Sequence, residues 1–336
     1  MKELLMKYSN LIGVSGSEEL ISDEIRRDIT EFDRKYNDSM GNLIIEKTGT
    51  SGKKIGIFAH MDEIGLMASY IDEKGFISFE GLGGWYFNTA VSQQVIFDNS
   101  IIGVIGGKPP HAMETAEREA GAKLKNMFID VGASTKEEVI EMGIDIGSTA
   151  VFTSKAKSLA NGLITGKALD NRVGVVAMID VMNNVCTDNT VYGVGTTEEE
   201  VGLKGAKVIS EKLNPDLAII VDTCLSGDHP GFSWKEAGSA IGNVSITIAD
   251  GAGRGILVPK KIINYVKRIA KENDIPVDFS VSNGGTTDGM ATHGNGIPTI
   301  VVAVPTRYIH SPVEVLKIED AENATKLIRA LVEGWN

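Results

Sequence analysis

Apolar and polar positions along this chain follow two different patterns, and the change between them marks the predicted organisation. Near the N-terminus, two helical stretches flank residues 13–17, and short apolar runs at residues 42–45 and 54–59 predict strands. After residue 162, helices are predicted over residues 171–185, 203–212, 259–273 and 318–335, and strands over residues 191–196, 217–221 and 298–304. Because strands alternating with helices build sheets covered on both faces, this pattern predicts an α/β domain with a mixed sheet.

The segment between residues 66 and 160 follows the second pattern. Short β-like runs at residues 76–79, 94–97, 101–105 and 128–131 are separated by Gly and Asn turns, with one helical stretch at residues 136–141. We therefore expect a small β-rich domain over residues 67–161, inserted into an α/β domain formed by residues 1–66 and 162–336. In the N-terminal segment, Ser15 and Glu18 have the spacing of a capping box that would start the second helix.

Composition narrows the class of protein. The 336-residue chain has 42% hydrophobic and 23% charged residues and a formal net charge of −12, which disfavours a nucleic-acid partner. No apolar run approaches the ~18 residues of a membrane span, and the charged first ten residues do not fit a secretory signal. The two cysteines, Cys186 and Cys224, form neither a close metal-binding pair nor a disulfide framework, so we expect a cytoplasmic protein.

Five separate segments place a histidine or carboxylate beside a predicted strand or helix. They contain His60, Asp170, the acidic triplet at residues 198–200, Asp222 and His310. Four of the five follow the carboxyl end of an apolar strand, which is the edge of an open α/β sheet where ligands bind. Taken singly, each residue of this kind is usually a hydrogen-bonded structural group, but all five together favour a metal centre.

The residue types indicate which metals and how many. Two histidines and three carboxylates suit zinc, cobalt or manganese better than magnesium, which prefers oxygen ligands. One catalytic zinc typically takes three protein ligands, so five ligands suffice for two ions if one carboxylate bridges them. Two ions about 3.5–4 Å apart can share a water molecule and lower its pKa. The pattern therefore predicts two divalent ions and a hydrolytic reaction.

Such a reaction also needs a general base. Glu199 is adjacent to Glu200, and neighbouring side chains point in different directions, so one can face the metal and the other the water. Asp62 follows His60 by two residues and can orient a neighbouring ligand or base by hydrogen bonding. We therefore expect Glu199 and Asp62 to be catalytic residues that do not themselves bind metal.

The motifs around these residues resemble those of the TET-type dinuclear metallo-aminopeptidases. That family includes deblocking, glutamyl, leucyl and lysyl aminopeptidases, and some members have been named endoglucanases. The matching motifs are Ala-His-Met-Asp-Glu-Ile-Gly at residues 59–65, Leu-Asp-Asn-Arg at 169–172, Glu-Glu-Val-Gly-Leu-Lys-Gly-Ala at 199–206, Val-Asp-Thr at 221–223 and Pro-Thr-Arg-Tyr-Ile-His-Ser at 305–311. They occur in the family's order over nearly the whole chain, and jointly they are highly specific.

The resemblance implies a division of the metal ligands. Asp170 would bridge the two ions. His60 and Asp222 would complete one metal site, and Glu200 and His310 would complete the other. The fold would be that of the zinc exopeptidases, and the reaction would remove N-terminal residues from peptide substrates.

The resemblance also implies roles outside the metal ligands. Glu199 would be the general base and Asp62 the carboxylate beside the histidine. The inserted domain would be PDZ-like and would form dimers, six of which make a hollow dodecamer. Residue 198 is Glu where the family pattern leads us to expect Gln, which adds a negative charge beside Glu199.

Other functions are compatible with parts of the pattern. A carboxypeptidase or deacylase could use the same metal ions, with Arg307 or Arg254 clamping a substrate carboxylate. A glycosidase would need two carboxyl groups about 5–9.5 Å apart across the scissile bond, for which the adjacent Glu199 and Glu200 are poorly placed. A non-enzymatic assembly protein would be expected to have lost at least one ligand. The aminopeptidase hypothesis accounts for the whole set.

Overall fold

A computed structural model describes residues 1–282 and 284–336 of the chain. The helices are α1 (Lys2–Ser9), α2 (Glu19–Asp28), α3 (Thr115–Glu119), α4 (Lys136–Glu141), α5 (Leu169–Asn184), α6 (Lys204–Leu213), α7 (Trp234–Ala237), α8 (Lys260–Glu272), α9 (Asp288–Gly294) and α10 (Ile318–Glu333). The first strands are β1 (Arg34–Asn37), β2 (Leu43–Lys47), β3 (Lys54–His60), β4 (Gly65–Ile71), β5 (Ile77–Leu82), β6 (Gln94–Phe97), β7 (Ile102–Gly107), β8 (Met127–Asp130) and β9 (Thr149–Phe152). The remaining strands are β10 (Lys157–Ser158), β11 (Leu163–Gly166), β12 (Thr190–Thr196), β13 (Leu217–Leu225), β14 (Asp228–His229), β15 (Phe232–Ser233), β16 (Val244–Ala249), β17 (Val277–Val281), β18 (Thr299–Arg307) and β19 (Glu314–Lys317).

Eleven of these strands form one mixed sheet. Its main path runs β1-β2-β12-β3-β13-β18-β19-β11-β10, and β16 joins β17 to β18 beside this path. The central strands β12, β3, β13 and β18 are parallel to one another, whereas β2 pairs with β12 and β19 pairs with β18 in antiparallel register. The parallel strands therefore all end at the same edge of the sheet.

The central strands are buried at consecutive positions rather than at alternate ones. Six successive residues of β3 and seven of β13 are buried, which requires that both faces of the sheet be covered. Helix α5 packs against β3 and β13 and also contacts α10, while α9 contacts β13 and β18 and packs against α6. The predicted α/β architecture with a mixed sheet is confirmed.

Strands β4 to β9 form a separate closed barrel in the order β4-β5-β8-β7-β6-β9. It has its own apolar core, which includes Leu66, Phe79, Phe97 and Ile129. The segment predicted to be β-rich is therefore a barrel, and its strands lie between Gly65 and Phe152. The domain bounds and the PDZ-like character expected from the resemblance stay predictions.

The structure changes the expected position of two site residues. Strand β13 continues to Leu225, so Asp222 lies inside a strand and not after one, as the apolar run had predicted. Helix α5 begins at Leu169, so Asp170 lies in its first turn, although its φ of −79° and ψ of 105° are not helical. Among the described residues, no helix combines the length and apolar character needed to cross a membrane.

Candidate metal centre

The parallel strands bring the predicted ligands to one edge of the sheet. His60 is the last residue of β3 and is paired with Thr196, the last residue of β12. The acidic triplet begins two residues after Thr196, and Asp222 is paired with Ala303 of β18. Because β18 ends at Arg307, His310 lies just beyond the same edge. The topology therefore brings together segments that are far apart in the sequence.

The five predicted ligands form two groups that share one residue. The first group is His60, Asp170 and Asp222, and the second is Asp170, Glu200 and His310. Within each group, the potential ligand atoms all lie within 4.8 Å of one another. All five residues that the sequence predicted as ligands are therefore close in space.

Asp170 faces both groups with different oxygen atoms. Its Oδ1 lies 3.3 Å from His60 Nε2, and its Oδ2 lies 3.7 Å from His310 Nε2. On the far sides, Asp222 Oδ1 lies 3.7 Å from His60 Nε2, and Glu200 Oε2 lies 3.2 Å from His310 Nε2. Asp170 Oδ1 is buried and has no hydrogen-bond partner, which is unusual for a buried carboxylate oxygen. The imidazole and carboxylate donors and this unpaired oxygen fit divalent cations.

The orientation of His60 is set by its second ring nitrogen. Nδ1 lies 3.1 Å from the main-chain oxygen of Asp62, which accepts a hydrogen bond when Nδ1 is protonated. That tautomer leaves the lone pair of Nε2 directed toward Asp170 and Asp222. His60 is 2% exposed, so no water competes for the ring.

The Asp62 side chain anchors the backbone of the acidic triplet. Its Oδ1 accepts from the N–H of Glu199 and its Oδ2 from the N–H of Glu200, both at 3.1 Å. Oδ2 also accepts a 2.6 Å hydrogen bond from the Ser15 hydroxyl. Burial alone would raise the pKa of Asp62, but His60 and these donors hold it below its ordinary value.

Burial makes the Glu199 and Glu200 carboxyl groups unusually basic. It raises the pKa of Glu199 well above its ordinary value, with the charge of Asp222 adding to the effect and His60 opposing it. Burial likewise raises the pKa of Glu200, against the hydrogen bond from His310. A carboxylate with a raised pKa can accept a proton near neutral pH, as a general base must.

The imidazoles respond to the same negative surroundings. Burial lowers the pKa of His310, but Glu200 and Asp170 outweigh burial and raise it to about 9. Burial also lowers the pKa of His60, yet the charge of Glu199 and contacts with the neighbouring carboxylates raise it well above its ordinary value. Both rings therefore lie in a field that attracts positive charge.

The N-terminal segment contributes to the centre in a way the sequence did not predict. Glu18 and Ser15 form no capping box in the structure, because Ser15 donates to Asp62 and the N-cap of α2 has no side-chain hydrogen bond. Glu18 Oε1 instead accepts from the N–H of Gly16 at 2.9 Å and from the N–H of Glu198 at 3.0 Å. The capping-box prediction is wrong, since both side chains turn toward the acidic triplet.

Comparison with known proteins identifies the family of this chain. The family model described as M42 glutamyl aminopeptidase matches residues 41–327. The chain belongs to the M42 glutamyl aminopeptidase family. It is therefore a metal-dependent peptidase, and the aminopeptidase activity inferred from the sequence is confirmed at this level.

Individual relatives cover nearly the full chain. A putative aminopeptidase of Acetivibrio thermocellus is 37% identical over 332 residues, which are 98% of this chain and 97% of the relative. The structure of aminopeptidase APDkam598 from the archaeon Desulfurococcus kamchatkensis has a TM-score of 0.94 and 38% identity, covering 99% of this chain and 94% of that chain. The Pyrococcus horikoshii TET1 peptidase, described as assembling into a tetrahedron or a large octahedral shell, has a TM-score of 0.88 and 32% identity over 99% of each chain.

A buried ionic network lies next to the centre in this M42 chain. Lys167 Nζ donates to both oxygens of Glu63, at 2.7 and 2.8 Å, and to the main-chain oxygen of Leu11 at 2.7 Å. Arg172 donates to Glu63 Oε1 at 3.1 Å and to the main-chain oxygen of Met61. The network joins the N-terminal segment, the exit of β3 and the first turn of α5, which carry or flank metal-centre residues.

A barrel loop also reaches the centre. A Cβ atom added to Gly84 would lie 2.7 Å from His310 Nδ1, and one added to Gly83 would lie 3.3 Å from Glu200 Oε2. The backbone of this loop, which follows β5, therefore lies against two predicted ligands. Only glycine allows so close an approach without displacing the side chains.

Three further residues singled out in the sequence have other partners. Arg307 donates from Nε and Nη2 to the two carboxylate oxygens of Asp228, at 2.8 and 2.6 Å, so this edge of its guanidinium group is engaged. Arg254 is exposed and donates to the main-chain oxygen of Gly251. The unexpected Glu198 accepts a 2.6 Å hydrogen bond from Lys204, so the added negative charge is paired with a cation.

Glu18, Glu63 and Glu314 were not predicted from the sequence to support the centre. Glu314 accepts from the N–H groups of two predicted ligands, Asp170 and His310. Each of the three is a carboxylate within four residues of a residue that had been singled out, but so are several exposed carboxylates. The three supporting carboxylates are buried and the others are exposed. The local sequence pattern does not show whether an isolated Glu is buried.

Proposed function

We propose that this chain is an aminopeptidase that removes N-terminal residues from peptides with the help of two divalent cations and Glu199 as general base. The observation that supports this most directly is the position of Asp170, whose two oxygens face two separate donor groups. His60 and Asp222 would hold one ion and Glu200 and His310 the other, with Asp170 shared. The donor set suits zinc or cobalt, with manganese as a further candidate.

Cations held there would polarise the scissile carbonyl group and lower the pKa of a water molecule, so that a modest base suffices. Glu199 would take the proton from that water and pass it to the leaving amine. Its burial raises its pKa toward the range in which both transfers are efficient. Asp62 would hold the main chain of Glu199 and Glu200, so that one side chain faces the water and the other the metal.

The charge of the site favours a free amino terminus over a free carboxylate in the substrate. Asp222 and Asp288 are buried beside the half-buried Glu199, and the charges of both raise the pKa of Glu199. An α-ammonium group would be attracted to such a site, whereas a substrate carboxylate would need a cationic clamp. Arg307, one candidate for that clamp, is already paired with Asp228. This is why we favour an aminopeptidase over a carboxypeptidase.

The same proposal extends to domain organisation and assembly. Residues 1–66 and 162–336 would form the catalytic domain, and residues 67–161 would form a PDZ-like dimerisation domain. The barrel exposes several large apolar side chains, among them Tyr70, Ile102 and Ile146. Together with the shells reported for the horikoshii TET1 peptidase, this supports a homodimer that assembles into a dodecamer. Light scattering after gel filtration would measure the assembly, and a monomer would contradict it.

The activity can be tested on one preparation. The protein is dialysed against chelator, reloaded with zinc, cobalt or manganese, analysed for metal content and assayed with anilides of neutral, acidic and basic amino acids. We expect two ions per chain and release of aniline from at least one substrate class. Peptides blocked at the amino terminus should be resistant, and peptides blocked at the carboxyl terminus should be cleaved. The reverse pattern would favour a carboxypeptidase, and cleavage of neither would refute the proposal.

A further inference from the structure

Glu314 is a buried carboxylate that belongs to neither metal-binding group. It is 3% exposed and begins β19, where it pairs with Gly166 of β11. Gly166 leads directly into the turn that carries Asp170, and His310 lies four residues before Glu314. Glu314 is therefore located where two ligand-bearing segments meet.

Each oxygen of Glu314 holds the main chain of a different ligand. Oε2 accepts the N–H of Asp170 at 2.9 Å, and Oε1 accepts the N–H of His310 at 3.1 Å. Asp170 and His310 are two of the three members of the second metal-binding group. One rigid carboxylate thus sets the separation between two ligand backbones that are 140 residues apart in the sequence.

Both segments contain backbone that would not keep its conformation unaided. His310 has a φ of 60° and Tyr308 a φ of 62°, values in the left-handed region that side chains other than glycine rarely adopt. Ala168, two residues before Asp170, has a φ of 53°. Residues of this kind persist only where surrounding contacts fix them, and Glu314 supplies such contacts to both segments.

An acid at position 314 places another negative charge beside Asp170, which a neutral side chain would avoid. Burial raises the pKa of Glu314 well above its ordinary value, and the charge of Asp170 adds to this. A carboxylate offers two equivalent acceptor oxygens in a fixed geometry, which no neutral side chain of this size does. The bidentate geometry accounts for an acid at this position despite that cost.

We infer that Glu314 is a positioning residue that fixes the backbones of Asp170 and His310 and thereby sets the affinity of the second metal site. This inference rests on the proposed function, because it assumes that the two groups bind divalent cations. Glu314 itself touches neither the substrate nor the reacting atoms in this scheme. Removing its side chain should weaken metal binding even though all five ligands remain.

The test compares Glu314→Ala and Glu314→Gln with the wild type and with Glu322→Gln, which changes an exposed carboxylate on α10. Zinc affinity and stoichiometry are measured by titration against a competing chelator dye, and circular dichroism checks folding. We expect Glu314→Ala to weaken binding of one of the two zinc ions by about 10- to 100-fold, the usual loss when a hydrogen-bond partner of a ligand is removed. Glu314→Gln keeps one acceptor oxygen and should fall between Glu314→Ala and the wild type, while Glu322→Gln should match the wild type.

The cobalt absorption spectrum gives a second measure, because it reports ligand geometry independently of activity. A changed spectrum in both Glu314 variants would support the inference, and Glu314→Gln keeps the test informative if Glu314→Ala does not fold. If both ions bind these variants with wild-type affinity and spectrum, Glu314 has no positioning role. If the wild type itself binds no divalent ion, the proposed function fails together with this inference. The wild-type titration therefore distinguishes the two failures.

Discussion

Glu199 and Glu200 are adjacent carboxylates, yet the proposed function gives them different tasks. Glu200 Oε2 lies 3.2 Å from His310 Nε2 within a metal-binding group, whereas Glu199 belongs to neither group. Asp62 accepts hydrogen bonds from the main-chain N–H groups of both residues, so the backbone that directs their side chains is held in place. The two proposed roles therefore follow from position, because the residues are adjacent and only Glu200 lies in a group that could bind metal.

This assignment predicts different outcomes for two substitutions. Glu199→Gln should keep two metal ions per chain but lower kcat by about 10²- to 10⁴-fold, because the amide cannot accept the proton from water. Asp170→Asn should lose metal, since both groups depend on its oxygens. Elemental analysis and anilide hydrolysis on the same samples separate these effects, with Glu211→Gln on the exposed side of α6 as a control. A Glu199→Gln enzyme with full activity would mean that another group is the base.

Glu18 predicts a pH dependence of stability. Burial raises the pKa of Glu18 from 4.5 to about 7, and the charge of Asp62 adds to the shift. Between these two pKa values the folded protein binds more protons at this site than the unfolded chain, so this group makes stability fall as pH rises. Its two main-chain hydrogen bonds both go to Oε1, so Glu18→Gln can keep them while removing the charge.

We therefore expect Glu18→Gln and the wild type to have similar free energies of unfolding at pH 5. At pH 8 the variant should be more stable by about 3 kcal/mol, from roughly 1.4 kcal/mol for each unit of pKa shift. Urea unfolding in the presence of chelator measures the difference, and Glu19→Gln, at the exposed neighbouring position, should show none. If the two proteins differ in free energy of unfolding by the same amount at pH 5 and pH 8, burial does not raise the pKa of Glu18.

At the scale of whole elements, the sequence predicted the sheet better than it predicted the contacts between elements. The strands that end near His60 and Thr196 and the long helices α5, α8 and α10 have strong apolar patterns, and all are present close to the predicted bounds. The two-residue strands β10, β14 and β15 lack enough positions to show a pattern, and they were not predicted. The five candidate ligands could be singled out because a polar residue beside a buried strand or at the start of a buried helix stands out from its apolar neighbours.

The supporting residues were not predictable for a different physical reason. Glu18 contacts Glu198, 180 positions away, and Glu314 contacts Asp170, 144 positions away. Their partners are main-chain N–H groups, which every residue except proline has, so no residue type at the far end identifies them. The capping-box spacing of Ser15 and Glu18 was a real local pattern. In the folded chain, however, Ser15 bonds to Asp62 and Glu18 to the main chain of Glu198.

The position of the loop after β5, against His310, leads us to expect that the barrel influences catalysis directly. Because a Cβ on Gly84 would lie 2.7 Å from His310 Nδ1, Gly84→Ala should displace the ring from its position facing Asp170 and Glu200. We expect kcat/KM to fall by about 10- to 100-fold, as is typical when a catalytic group shifts by about 1 Å. The matched control is Gly107→Ala in β7, where the added Cβ would meet its nearest atoms at 3.8 Å. Equal activity of the two variants would show that the loop gives way without moving His310.

At the scale of the whole molecule, the candidate metal centre is assembled from three separate parts of the fold. The N-terminal segment supplies Ser15 and Glu18, the barrel supplies the loop at Gly84, and the sheet supplies the ligand-bearing strand ends. The unfolded chain cannot offer this arrangement, so cations that bind the folded protein stabilise it. Metal binding and global stability are therefore coupled.

Removing the metal should consequently lower the unfolding temperature. With the ions absent, the side chains of Asp170, Glu200 and Asp222 remain largely shielded from solvent beside one another, and the carboxylates repel. Zinc added at a hundred times its dissociation constant should raise the free energy of unfolding by about 2.7 kcal/mol for each site. Protons compete with cations for the same donor atoms, so the gain should shrink as pH falls from 8 to 5.5.

Scanning calorimetry of the chelated and reloaded protein at both pH values measures this gain. Asp170→Asn is the critical control, because it removes the residue shared by both groups and leaves the other four ligands in place. We expect zinc to shift the unfolding temperature of the wild type and to leave that of Asp170→Asn nearly unchanged. An equal shift in both proteins would mean that zinc binds elsewhere on this acidic chain, and the site assigned to the edge of the sheet would then not be the one that stabilises the fold.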